Sequence, residues 1–324
     1  MKHAAILGTG SSLPQRILTN EDLEELVDTS DEWITTRTGI RQRRLAGPGE
    51  ETHRLAARAA AEAMDMAGID ANDIDLIIVA TMTPHMIMPS CACYVQAEIG
   101  AHAAFAYDIN AACSGFVYGL DLADRYISTR PEMTILLIGA ENLSARVNWR
   151  DRNTCILFGD GAGACVLGGS GRAGVIDSVL AADGRLAELL YTHAPPSMNP
   201  DIGRQGKADC VIEMAGRDVF RHAVRAMTDA VSTLLARQDL GVENIALVIP
   251  HQANIRILNK VMSSLGIPAE KVFVNVEKYG NTSAASIPIA LDEANRQGRL
   301  AGGDLLLTCS FGGGFTWGAL LMKW

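Results

Sequence analysis

An internal duplication constrains this chain more than any other feature. Shifted by 168 residues, the first half lands on the second without a gap. Leu76–Thr81 falls on Asn244–Ile249, Phe105 on Phe273, Cys113 on Asn281, and Leu137–Ile138 on Leu305–Leu306. The closing strand repeats at a shift of 153, Phe158-Gly-Asp-Gly falling on Phe311-Gly-Gly-Gly, so the first half carries about 15 extra residues between Ala140 and Phe158. Apolar β-prone runs such as Leu76–Ala80, Ala104–Ile109, Val272–Val276 and Leu305–Thr308 alternate with helix-like segments. Each half therefore predicts strand, helix, strand, helix, strand, turn, strand. Two such halves, 1–171 and 172–324, pack about a pseudo-two-fold axis with sheets inside and helices around them.

Two stretches stand outside the repeat. Leu13–Glu51, rich in charge and turn residues, is an insertion. His193–Asp209, holding Pro195, Pro196, Pro200, Gly203 and Gly206, predicts an exposed excursion. Such segments either rim a site or merely decorate the surface.

Composition narrows the function. The net charge is −9 and the pI about 5.3, which argues against nucleic acid as a general partner. Seven cysteines form no CxxC pair and show no zinc spacing, as expected of a chain in a reducing cytoplasm. The apolar run before Gly8 is too short for a signal peptide, and no stretch approaches the roughly 18 apolar residues of a membrane span.

Cys113 follows the strand Ala104–Ile109 and precedes a helical pattern in which Phe116, Leu120, Ala123 and Ile127 share a face. A thiol at a helix N-terminus is expected to have its pKa lowered. An isolated cysteine is nonetheless more often a packing residue, and the other six are assigned to packing. His251 follows the strand ending at Ile249, and Asn281 opens a predicted helix Thr282–Asn295. Singly, these are a core histidine and a helix N-cap. Jointly, thiol, imidazole and amide lie at strand C-termini of two equivalent halves, where α/β sheets place ligands. Gly312-Gly313-Gly314 exposes backbone amides suited to an oxyanion hole.

These residues sit in stretches that resemble the β-ketoacyl-acyl-carrier-protein synthase III family of the thiolase superfamily. The matching stretches are Thr29-Ser-Asp-Glu-Trp-Ile-Thr-Thr-Arg-Thr-Gly-Ile, Ala111-Ala-Cys-Ser-Gly-Phe, Phe158-Gly-Asp-Gly-Ala-Gly-Ala, Pro250-His-Gln-Ala-Asn, Gly280-Asn-Thr-Ser-Ala-Ala-Ser and Phe311-Gly-Gly-Gly-Phe-Thr-Trp-Gly. The resemblance runs the length of the chain. It implies a thiolase-like, duplicated five-layer α-β-α-β-α architecture. It also implies a decarboxylating Claisen condensation that initiates fatty acid biosynthesis, joining a short acyl-CoA primer to malonyl-acyl carrier protein through an acyl-Cys113 thioester.

In that scheme His251 and Asn281 stabilise the enolate, and the backbone N–H groups of Cys113 and Gly313 hold the other oxyanion. Acyl-CoA enters as substrate, and no metal or redox cofactor is implied. The resemblance further places CoA against Thr29, Trp33, Arg37, Arg152, Gly216, Phe220 and Asn254, with Trp33 and Arg152 sandwiching the adenine. Met88, Leu143 and Phe158 would line the acyl tunnel, with Met88 near the partner of a homodimer. Arg221 and Arg256 would dock the acidic carrier protein. Many relatives carry Phe where this chain has Met88, which leaves primer length open. Three other readings compete: an acyltransferase of a quinolone- or polyketide-type pathway, a non-catalytic acyl-CoA or carrier-protein binding module, and a cysteine hydrolase.

Overall fold

The computed structural model describes residues 2–193 and 210–324. The predicted excursion His193–Asp209 therefore lies, apart from His193, outside the described residues.

Two sheets form the interior. The first runs, in spatial order, His3–Ser12, Asp160–Ser170, Ile135–Asn142, Leu76–Ala80, Phe105–Ile109. The second runs Leu247–Pro250, Leu305–Gly312, Thr316–Lys323, Gly174–Ala182. In both, the pairs toward one edge are parallel and the pairs toward the other antiparallel.

Helices Gly115–Thr129 and Ser286–Arg296 lie between the sheets, buried on both sides, which is why Phe116, Val117, Leu120, Ile287 and Ile289 are all inaccessible. Thr52–Ala67 and Cys91–Ile99 cover the outer face of the first sheet, and Gly216–Arg237 and Ile255–Leu265 that of the second. The five layers α-β-α-β-α are thus complete.

Small residues set the layer spacing. Helix Thr52–Ala67 turns Ala56, Ala59, Ala60 and Ala63 to the sheet. A Cβ at Gly8 or Gly10 would fall 2.4 Å from the Ala63 carbonyl oxygen or 2.3 Å from that of Ala59, so only glycine lets this strand lie against the helix.

The duplication is real, but its register differs from the sequence reading. Leu76 pairs with Ile135 as Leu247 pairs with Leu306, a shift of 171 residues. The turns Ala112–Ser114 and Ser283–Ala285, and the helices starting at Gly115 and Ser286, keep that shift of 171. Between them, Ile77 pairs with Ala106 whereas Val248 bridges Val272, which lowers the shift to 166. The ungapped 168 is a compromise between these segments. The partner position of Cys113 is accordingly Ala284, and that of Asn281 is Asn110.

Another expectation fails nearby. Val272–Val276 makes one isolated bridge rather than a strand, because the chain turns into the short helix Val276–Tyr279. Two small hairpins were invisible to the periodicity. One, Arg16–Thr19 with Gln42–Leu45, lies inside the insertion. The other, Leu190–Thr192 with Ile212–Met214, lies near the cavity described below.

Candidate active site

Both turns that carry the key residues are built alike. Ala112 and Ser283 have left-handed backbones, with φ of 46° and 50°. Each is held by the asparagine two residues before it. The Ala112 N–H donates to Asn110 Oδ1 at 3.1 Å, and the Ser283 N–H to Asn281 Oδ1 at 2.8 Å. Conformations of this kind cost roughly 1 kcal/mol or more for residues with a Cβ and cluster where side chains must be aimed. For Asn281 the bond ties down Oδ1. The Asn281 N–H donates to the Leu157 carbonyl at 2.8 Å, and its carbonyl accepts from Gly159 at 3.0 Å, which fixes it beside Phe158.

His251 leaves the second sheet with its N–H donating to the Cys309 carbonyl at 2.8 Å. Its Nδ1 lies 2.6 Å from Ser286 Oγ, which also accepts the Gln252 N–H at 3.2 Å. No hydrogen bond engages Nε2 among the described residues. Burial pushes the imidazole pKa down to about 4, so the ring is neutral near pH 7.

Cys113, His251, Asn281 and Gly313 line one cavity of about 530 Å³. Its wall is mostly apolar, including Leu143, Phe158, Leu190 and Phe311. Gly312 has no room for a side chain: a Cβ there would lie 2.6 Å from the Cys113 backbone nitrogen. The glycine turn is thus pressed against the thiol-bearing turn.

The expected lowering of the thiol pKa is overturned. Burial pushes Cys113 up to about 12, the Ser283 hydroxyl works against that shift, and the Glu141 carboxylate adds to it. Helix Gly115–Thr129 begins only two residues after Cys113, past a 3₁₀ turn, and burial is the largest influence on the thiol. The free site therefore holds a neutral thiol beside a neutral imidazole.

The remaining predicted residues divide by place. Leu143, Phe158, Gly216, Phe220 and Asn254 line the same cavity. Asn254 also caps helix Ile255–Leu265 through its Oδ1 and donates from Nδ2 to the Arg37 carbonyl at 3.1 Å.

Trp33 and Arg37 form a separate shallow depression at the surface. Both guanidiniums, of Arg37 at 4.7 Å and Arg152 at 5.1 Å, stack on the Trp33 ring. Arg152 also donates to the Asp28 carbonyl at 2.8 Å. Trp33 and Arg152 thus touch each other and leave no gap for an adenine, so Arg152 must swing out before a base could lie between them. Thr29 stands beside this group and lines neither hollow.

Met88 is 82% exposed and lines no part of this chain's cavity. Arg221 and Arg256 are exposed on neighbouring helices; Arg221 pairs with Asp218, and Arg256 lies over the Phe220 ring.

Three residues of the site were missed. Ser283 and Ser286 lie in the quoted Gly280-Asn-Thr-Ser-Ala-Ala-Ser stretch, but only its asparagine drew attention. Glu141 gave no signal, since one acidic residue at a strand end looks like an ordinary surface charge.

Comparison with known proteins agrees with this geometry. Residues 107–184 match the family model for 3-oxoacyl-[acyl-carrier-protein (ACP)] synthase III, and residues 235–324 match the model for its C-terminal part. A β-ketoacyl-[acyl-carrier-protein] synthase III of Desulfotalea psychrophila is 55% identical, over 98% of this chain and 99% of its own. One from Caldanaerobacter subterraneus is 50% identical over 99% and 98%. The crystal structure of 3-oxoacyl-[acyl-carrier-protein] synthase III from Aquifex aeolicus superposes with a TM-score of 0.92 at 48% identity, covering both chains fully. The chain belongs to the 3-oxoacyl-[acyl-carrier-protein] synthase III family.

Proposed function

We propose that this chain, an acyltransferase of the condensing class, initiates fatty acid synthesis by joining a short acyl-CoA primer to malonyl-acyl carrier protein on Cys113. The observation that carries the reading is the convergence of Cys113, His251, Asn281 and the Gly313 backbone on one cavity.

In the first step Cys113 Sγ attacks the acyl-CoA carbonyl while its proton passes to the neutral His251 at Nε2. CoA leaves with that proton, and the acyl group stays on sulfur. In the second step the malonyl thioester loses CO₂. Negative charge develops on its thioester oxygen, which accepts hydrogen bonds from His251 Nε2–H and Asn281 Nδ2. The carbanion attacks the acyl-Cys113 carbonyl, whose oxyanion sits against the backbone N–H groups of Cys113 and Gly313. Collapse expels the thiolate and frees a 3-ketoacyl-carrier protein. The two steps need His251 as acceptor and then as donor. Ser286 supports both, since its hydroxyl can accept from or donate to Nδ1. The chemistry as written calls on no metal or redox group.

The same reading treats 1–171 and 172–324 as halves of one catalytic unit. It assigns CoA to Thr29, Trp33, Arg37, Arg152, Gly216, Phe220 and Asn254, and the acyl chain to Leu143 and Phe158. Arg221 and Arg256 flank Phe220 at the cavity mouth, a position suited to an acidic carrier protein. A homodimer is supported by the unpaired sheet-edge strand Phe105–Ile109, with Phe105 exposed on it, and by the exposed Met86, Ile87 and Met88. In such a dimer Met88 would close the partner's tunnel. No helix among the described residues is long and apolar enough to cross a membrane, and we place the enzyme in the cytoplasm.

Intact-mass analysis after mixing with acetyl-CoA tests the first step. An acetyl adduct that vanishes in Cys113→Ala is expected, followed by 3-ketoacyl product when malonyl-carrier protein is added. No adduct, or one that survives Cys113→Ala, refutes it; release of free acetate would identify a hydrolase.

A further inference from the structure

Strand Leu76–Ala80 pairs in parallel with Ile135–Asn142, Ala80 facing Gly139, and then stops, whereas its neighbour runs on through Glu141. Two residues beyond the last pair, Glu141 stands level with Met82. Its side chain is wholly buried. The carboxylate accepts hydrogen bonds from the Met82 N–H at 3.2 Å, the Thr81 hydroxyl at 3.3 Å and the Thr83 hydroxyl.

The direction of these bonds is fixed. Thr83 Oγ1 accepts the Asn142 N–H at 2.9 Å, and Thr81 Oγ1 accepts the Thr83 N–H at 3.1 Å. Each hydroxyl has a single proton, and both give it to Glu141. Three donors thus converge on one group that only accepts. On either side, the Thr81 N–H donates to the Ile109 carbonyl at 3.1 Å and the Thr52 hydroxyl to the Thr83 carbonyl at 2.6 Å. The backbone around Met82 is pinned from every direction. No Lys, Arg or His forms an ion pair with Glu141 among the described residues. A buried carboxylate without a cation is a costly way to hold a loop, and packing alone does not explain it.

Of residues 81–83, only Met82 lines the cavity. It packs against the buried cluster that holds Leu143 and Phe158, the residues assigned above to the acyl chain. Methionine is the most adaptable of apolar side chains and, left free, would yield to acyl groups of many lengths. A fixed backbone restricts how far it can retreat.

We propose that Glu141 is a positioning residue for primer selection: by collecting the hydrogen bonds of residues 81–83 it holds Met82 as the wall that limits acyl length on Cys113. The inference rests on the reading of Cys113 as acyl carrier and deepens it, since it names the side chain of this same chain that sets the size of the primer.

The test compares acetyl-CoA with octanoyl-CoA, each read as the rate of acyl-Cys113 formation by intact mass in the full-length protein. The quantity scored is the octanoyl-to-acetyl ratio of rates. A merely structural role would reduce the folded fraction, slow both rates alike and leave the ratio in place. Met82→Ala should raise the ratio about tenfold or more, because even one methylene in an apolar pocket is worth that much. Glu141→Gln turns an N–H group toward donors and releases the segment. It should raise the ratio in the same direction by more than about threefold, a change larger than the scatter of independent substitutions. In the double variant Met82→Ala/Glu141→Gln the ratio should equal that of Met82→Ala alone, since the group through which Glu141 acts is gone.

A Glu141→Gln ratio that matches the wild type overturns the proposal. So does a Glu141→Gln shift that persists in full in the Met82→Ala background, which would mean that Glu141 acts elsewhere. Should Glu141→Gln not fold, Thr83→Val, which removes one of the three donors, is held to the same two criteria. A wild type that forms no adduct with either acyl-CoA would instead strike the reading of Cys113 itself, whereas a wild type that acylates with a ratio indifferent to Glu141 leaves that reading standing and removes only this inference.

Discussion

Gly312→Ala probes the site with the smallest possible perturbation. The added Cβ would stand 2.6 Å from the Cys113 backbone nitrogen, 3.2 Å from the Cys113 Cα and 3.2 Å from the Ala112 Cβ. Ordinary contact begins near 3.4 Å, so one of the two backbones must retreat by about 0.8 Å. No flexible side chain can yield, because the nearest atoms belong to the backbone of the turn itself. A displacement near 1 Å at a reacting centre costs on the order of 10²-fold in rate. Overpacking of this kind costs about 1–3 kcal/mol in stability, which leaves a domain of this size folded.

The expected result is therefore a folded protein whose acyl-Cys113 formation, followed by rapid mixing and intact mass, is slowed about 100-fold. Gly302→Ala is the control. Its Cβ would meet nothing within 4 Å, and both rate and melting should match the wild type. If Gly312→Ala forms the adduct within about threefold of the wild-type rate, the glycine turn does not position the thiol, and the oxyanion assignment to Gly313 loses its footing.

Other consequences follow from the same geometry. Ser286→Ala leaves His251 Nδ1 buried without its partner, which should cost about 1–3 kcal/mol in stability. It should also slow both acyl transfer and condensation, read as adduct formation and as malonyl-dependent product, because Ser286 orients His251 in each. Arg43 is fully buried, donates to the Ile156 carbonyl at 2.7 Å and to Asn20 Oδ1 at 2.9 Å, and has its pKa lowered to about 10 by burial. Arg43→Met strands both acceptors and should lower stability by about 3 kcal/mol in denaturant melts.

Stability should depend on pH in a way that Glu141 masks. His251, lowered from 6.5 to about 4, binds more protons unfolded than folded; its contribution is complete above pH 6.5 and is lost as pH falls toward 4. Glu141, raised from 4.5 to about 7, binds more protons folded; its contribution is complete below pH 4.5 and is lost as pH rises toward 7. Between pH 4.5 and 6.5 the two slopes oppose each other. Glu141→Gln should therefore steepen the rise of melting temperature with pH across that window, and an unchanged slope would contradict the assignment.

The duplication was legible because repeated apolar runs report burial directly, but those runs placed helices only around the sheets; the central layer of Gly115–Thr129 and Ser286–Arg296 came from the family resemblance. The register was not legible. An ungapped comparison averages a shift of 171 with one of 166, and the five-residue difference falls in the segment holding the helix Val276–Tyr279, which replaces a strand. Cys113, His251 and Asn281 could be found because they stand at strand ends. The thiol's raised pKa could not, since it depends first on burial in a cavity that only the folded halves create and then on groups distant in sequence such as Glu141. The direct contact of Arg152 with the Trp33 ring was not legible either, since motifs name residues and not how their side chains stack on one another.

The corrected register also explains why a duplicated fold carries one site rather than two. Applying the shift of 171, Cys113 corresponds to Ala284, His251 to Ala80, and Ser286 to Gly115. The nucleophile, the imidazole and its support are thus all reduced to small residues in the second copy, and a Cβ at Gly115 would lie 2.9 Å from that of Ala80. Asn110 keeps the turn-holding half of the Asn281 role, bonding the Ala112 N–H from Oδ1. Gly312, whose lack of a side chain admits the thiol turn, corresponds to Glu141, whose carboxyl fills the equivalent space beside Ser283. The halves have diverged into complementary parts. Where one leaves a hollow at its glycine turn, the other supplies a buried carboxyl beside Ser283.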